Sequence, residues 1–109
     1  MVKKKYNEIV KILKKLLKER KVHFSKIILF GSQVKGRPNK DSDIDIIILS
    51  KHFENKNIFE RIRLMNGVHR ELVRTLMLPA DIMYYSLSEW KKNSSLIVNM
   101  AKKEGLVYS

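Results

Sequence analysis

The stretch ILFGSQVKGRPNKDSDIDIIIL, residues 28–49, decides the fold. It joins two apolar runs, Ile27-Ile28-Leu29-Phe30 and Ile44 to Leu49, each too short for a helix and set off by turn residues. Such runs read as buried strands. Gly31 ends the first, and residues 37–42, RPNKDS, form a turn-rich loop. The second run starts among carboxylates. Alternate residues of a strand face the same way, so Asp43 and Asp45 point to one side with Cα atoms roughly 6.5–7 Å apart, while Ile44 and Ile46 point to the core. Two carboxylates so close repel, and bare burial would push one toward protonation.

Working outward, residues 3–20 carry Tyr6, Ile9, Val10, Leu13, Leu16 and Leu17 on one helical stripe with lysines opposite. Downstream, Ile58, Ile62, Met65, His69, Leu72 and Leu76 recur at helical spacing, predicting one helix over residues 58–77. Pro79 follows it, and Ala80 to Tyr85 reads as a third strand. Ser86-Leu87-Ser88-Glu89 fits a capping box opening a C-terminal helix, Gly105 reads as its C-cap, and Leu106-Val107-Tyr108 follows as a short tail. The order helix, strand, loop, strand, helix, strand, helix predicts an α/β chain of the α+β type: a small mixed sheet of three to four strands backed by helices.

The 109 residues suit a single domain spanning 1–109, with one modest core and any large binding groove completed by a partner. The chain has no cysteine, which excludes disulfides and thiolate metal sites. Met1-Val2-Lys3-Lys4-Lys5 is basic like the start of a leader, but Lys11, Lys14 and Lys15 interrupt any apolar stretch behind it. No run approaches the ~20 apolar residues of a membrane span, so a cytoplasmic protein without membrane contact is expected. Net charge is +12; residues 1–26 hold ten basic residues and two acids, +8 together. That face suits polyanions or is a solvated lysine face. Aromatic residues are not interleaved there, so nucleic acid is tolerated and not favoured.

Oxygen-only ligands suit Mg²⁺, which takes one or two carboxylates plus substrate phosphates. Gly31 lets backbone approach a phosphate, Ser32 adds a hydroxyl, and Lys35 and Arg37 add positive charge. Asp81 opens the third strand in a similar setting. If that strand is adjacent, its carboxylate completes a two-metal site for in-line displacement, with Asp81 orienting or deprotonating the attacking hydroxyl. The chemistry would be nucleotidyl transfer from a nucleoside triphosphate. Plainer readings stand beside these: Asp43 as a turn cap, Asp81 as turn punctuation, Lys35 and Arg37 as loop charges, His69 as a structural histidine. Met65, Met77, Met83 and Met100 read as core filler, and Tyr84, Tyr85 and Trp90 as packing or interface residues.

Gly31-Ser32, ten residues, then Asp43-Ile44-Asp45 resembles the Gly-Ser-x10-Asp-x-Asp signature of polymerase-β-type nucleotidyltransferases, and the short chain resembles the minimal nucleotidyltransferases among them. The resemblance implies a nucleotidyltransferase-like fold. Gly31 and Ser32 would hold triphosphate, Asp43 and Asp45 would bind metal, and Asp81 would be the third carboxylate. Gly36 and Ser42 match the family's loop. Many relatives carry arginine at the position of Lys35; lysine keeps the charge and loses the bidentate fork. Members are commonly paired with HEPN-domain RNase toxins, which they neutralise, in studied pairs by placing AMP on a tyrosine. This implies Mg²⁺-ATP as substrate, two Mg²⁺ ions, and a HEPN toxin as hetero-oligomeric partner. The alternatives are a non-catalytic antitoxin that neutralises by binding, and a transferase acting on RNA or a small molecule.

Overall fold

The computed structural model describes residues 2–31, 44–93 and 95–109. The elements are α1 (Val2–Glu19), β1 (Lys26–Phe30), β2 (Ile44–Leu49), a 3-10 turn at Lys51–Phe53, α2 (Ile58–Leu64), α3 (Val68–Leu76), β3 (Ala80–Tyr85), α4 (Leu87–Lys91), α5 (Leu96–Glu104) and β4 (Leu106–Tyr108). The sheet order is β3-β2-β1-β4. β1 pairs antiparallel with β2 and β4, whereas β2 pairs parallel with β3. A parallel pair needs a long crossover, and residues 50–79, with α2 and α3, supply it.

Both faces of the central strands are covered, which is why they read as continuous apolar runs. One face carries Ile27, Leu29, Ile44, Ile46 and Ile48 against the α1 stripe, Val68, Leu72 and Phe53. The other carries Ile28, Phe30, Ile47 and Leu49 against Ala101 of α5, with Leu87 and Trp90 alongside. All six stripe residues of α1 are buried. Each large side chain so buried stabilises the fold by roughly 1.5–3 kcal/mol. Tyr84 tilts on Phe53 at 5.5 Å, and burial pushes its phenol up to about 12.

Four expectations are corrected. The helix expected over residues 58–77 is two helices, because Gly67 takes φ +86° and restarts the chain as α3. The break turns α2 away from the core: Met65 is buried, but Ile58, Phe59 and Ile62 are exposed. The C-terminal helix is also two. The expected capping box at Ser86 and Glu89 opens the five-residue α4, Asn93 leaves it at φ +51°, and Ser95 caps α5. The tail Leu106–Tyr108 is strand β4 on the edge of β1. Among the methionines, Met65 is core, whereas Met77 is exposed at a left-handed helix end and Met100 is exposed on α5.

Gly105 does cap α5, through its N–H to Ala101 O at 2.8 Å, but in an extended conformation. Space is what it provides: a Cβ there would stand 2.5 Å from both Ala101 O and Ile28 Cγ2. At the far end of the sheet, Arg61 of α2 holds Glu89 of α4 at 2.7 Å. Burial alone would raise the Glu89 carboxyl. The Ser86 backbone N–H, the Arg61 guanidinium and the Ser86 hydroxyl together hold it below its ordinary 4.5.

Two outcomes are expected from urea unfolding. Gly105→Ala forces α5 off β1 and lowers stability by about 1–3 kcal/mol. The depressed Glu89 carboxyl stabilises the fold fully above its ordinary pKa of 4.5, and that contribution drains away as pH falls through the folded-state value. Glu89→Gln therefore flattens the acid limb of the stability profile; an unchanged slope would show that the pair contributes nothing.

Candidate active site

β2 and β3 pair at zero offset, Ile44 with Ala80, Asp45 with Asp81 and Ile46 with Ile82. Parallel partners point to the same face and adjacent strands lie about 4.8 Å apart. The carboxylates of Asp45 and Asp81 therefore rise side by side from the face that holds Ile47, Leu49, Met83 and Tyr85. Asp45 is half-buried and Asp81 is exposed. Across the antiparallel seam Asp45 pairs with Phe30, the residue before Gly31.

Gly31 stands at φ +102°, a conformation that side chains rarely adopt. A Cβ on it would fall 2.5 Å from Asp45 Oδ2 and 3.3 Å from Asp45 Cγ. The Asp45 carboxylate thus occupies the space that the missing side chain leaves. Glycine here serves both a positive φ and the close approach of a carboxylate.

The two carboxylates open into a cavity of about 590 Å³, walled by Phe30, Ile82, Met83, Ile97 and Met100, with His69 at its rim. His69 Nε2 lies 2.6 Å from Ala80 O. A carbonyl only accepts, so Nε2 carries the proton, and α3 pins the residue preceding Asp81. That bond agrees with the sequence reading of His69 as structural, while its place in the lining of this cavity was hidden by its spacing on the apolar stripe. The walls were partly readable, since Met83 follows Asp81 by two and shares its face.

The structure thus brings together Gly31, Asp45 and Asp81. Asp43, Ser32, Lys35, Gly36, Arg37 and Ser42 lie outside the described residues. Among the described residues no three His, Cys, Asp or Glu side chains form a metal-holding group. Two in-register carboxylates, one open to solvent, are nonetheless a hard-oxygen donor pair of the kind Mg²⁺ takes alongside substrate phosphates. Among the described residues no helix is long and apolar enough to cross a membrane.

The whole chain is similar to a candidate nucleotidyltransferase from Sulfolobus solfataricus, at 19% identity and TM-score 0.59 over 98% of this chain and 85% of that one. The likeness is one of fold. A looser likeness, TM-score 0.41 at 16% identity over 78% of this chain and 92% of the other, is to a Bol-like protein from Babesia bovis. No curated protein sequence matches. The family described as the nucleotidyltransferase domain matches residues 7–108. Domains of that family generally use a nucleoside triphosphate and a divalent metal. With residues 7–108 of 109 matched and the fold in agreement, the chain belongs to the nucleotidyltransferase domain family.

Proposed function

We propose that this chain transfers AMP from Mg²⁺-ATP to a hydroxyl of a partner protein. The observation that carries the reading is the pairing of Asp45 with Asp81 at zero offset beside the positive-φ Gly31. On this reading Asp45 and Asp81, joined by Asp43 through the Gly-Ser-x10-Asp-x-Asp pattern, hold the divalent metal. When bound, the metal neutralises charge on the triphosphate oxygens and on the leaving group.

The chain's own residues do the rest. The open backbone around Gly31 accepts a triphosphate oxygen close to the main chain, and Ser32, Lys35, Arg37 and Ser42 belong to the same phosphate-binding stretch. Asp81, exposed at the rim, orients the acceptor hydroxyl and takes its proton. The acceptor oxygen bonds to the α-phosphorus, the bond from that phosphorus to the bridging oxygen breaks, and pyrophosphate leaves. By the motif's resemblance to minimal nucleotidyltransferases, the acceptor is a tyrosine of a HEPN-domain RNase toxin and the chain is its antitoxin. A second reading, neutralisation of the same partner by binding alone, is favoured by the apolar residues exposed on α2.

Incubation with α-labelled ATP, Mg²⁺ and the protein encoded beside this one separates the two. Label is expected on the neighbour, and Asp45→Asn should lower its transfer on the order of 100-fold without unfolding the chain. Inhibition of the neighbour by Asp45→Asn at stoichiometric amounts, with no label in either case, would favour binding alone. Gly31→Ala should cost about 1–3 kcal/mol through its left-handed backbone and depress transfer as well, because its Cβ displaces the Asp45 carboxylate. Full activity in that variant would place the phosphate elsewhere.

A further inference from the structure

Strand β3 is an edge of the sheet, and its outer side is guarded at two points. The carbonyls of Pro79 and Tyr85 face β2, accepting from Ile44 and Ser50. By alternation, the backbone groups of residues 80, 82 and 84 face outward. His69 caps the carbonyl of Ala80 at 2.6 Å, and Arg61 Nη1 caps that of Tyr84 at 2.8 Å. Arg61 is itself fixed by Lys56 O at 2.9 Å and by Glu89. Between the two guards lies Ile82, whose N–H and C=O share the outer edge.

Ile82 and Met83 line two cavities at once. One is the carboxylate cavity; the other, of about 360 Å³, lies between β3 and α2 and includes Ile58, Ile62 and Lys56. α2 buries none of its residues, and Ile58, Phe59 and Ile62 are 64%, 73% and 52% exposed. A continuous apolar path therefore runs from α2 over the Ile82 edge to Asp81. A ligand that fills it needs a backbone amide and carbonyl for Ile82 and apolar side chains on either hand. Those are the groups of an extended polypeptide. Charge completes the description: of the charged residues that line the cavity between β3 and α2, Arg61 and Glu89 neutralise each other and Lys56 remains, in a chain of net +12. The complement is acidic there, with its hydroxyl toward Asp81.

We propose that the groove formed by α2 and the Ile82 step of β3 docks an extended, acidic segment of the acceptor polypeptide and delivers its hydroxyl to the carboxylate pair. Naming the docked chain as acceptor rests on the transferase reading of the site.

The test is hydrogen exchange and methyl NMR of the full chain titrated with a random glutamate–tyrosine copolymer, without nucleotide. Exchange at the Ile82 amide should slow at least tenfold at saturation, with the Ile58 and Ile62 methyls shifting. Ile62→Asp and Ile58→Ser, both at exposed positions that line the α2 cavity and lie outside the carboxylate site, should each weaken copolymer binding at least tenfold while leaving Mg²⁺-ATP affinity, read by calorimetry, unchanged. Perturbation confined to the α1 lysines, with Ile82 exchange unaltered, would overturn the docking proposal. So would sedimentation showing that Ile62 mediates contact between two copies of this chain. Failure of the wild-type chain to bind Mg²⁺-ATP would instead overturn the transferase reading, and the copolymer titration would still decide the docking.

Discussion

Strand β2 lies between an antiparallel partner and a parallel one, and its register against both is fixed by burial on two faces. A slip of one residue would send Ile44, Ile46 and Ile48 to the wrong side and bring Asp45 into the helical core. A slip of two would preserve the faces but separate Asp45 from Asp81. The isoleucines of β2 and the packing of Ile82 and Tyr84 against the same helical layer therefore do chemical service. They hold two like charges side by side although those charges repel.

The division of the sheet into a helical face and a site face follows from which helices can cover it. α1 brings a full apolar stripe and meets α3 beneath the sheet. α4 and α5 bring less, a five-residue helix and a nine-residue one that buries only Val98 and Ala101. The carboxylate end of that face stays open, and Ile97 and Met100 become walls of a cavity instead of core. The basic surface of α1 sits on an element that packs against the opposite face from the carboxylates. The net charge of +12 thus bears on long-range attraction of anions.

Much of this was legible in the residues. The stripe of α1 and the strands around Asp45 and Asp81 have clean periods, and the alternation Asp45–Ile46 assigned faces correctly because β2 is regular. What escaped reading was set by tertiary packing. Residues 58–77 keep a helical period through Gly67, so the break appears only when α2 swings out and exposes Ile58 and Ile62. The tail Leu106–Tyr108 is too short to announce a strand, and only the unfilled edge of β1 makes it one. His69 sits at a core-like spacing, yet its ring reaches the carbonyl before Asp81. The zero offset between β2 and β3 was beyond any pattern, because it depends on how the crossover packs.

The capped carbonyls of β3 also bear on solubility. An open strand edge is a template for stacking like chains, and the apolar residues of β3 would favour that stacking. With Arg61 and His69 occupying the carbonyls of Tyr84 and Ala80, a second strand finds the carbonyl of Ile82 alone unclaimed among the three outward ones. That is too little to hold a strand by backbone pairing alone. Removing the two guards would lengthen the free edge to three outward residues, and the cost would show as fibril formation at concentrations where the native chain stays dispersed.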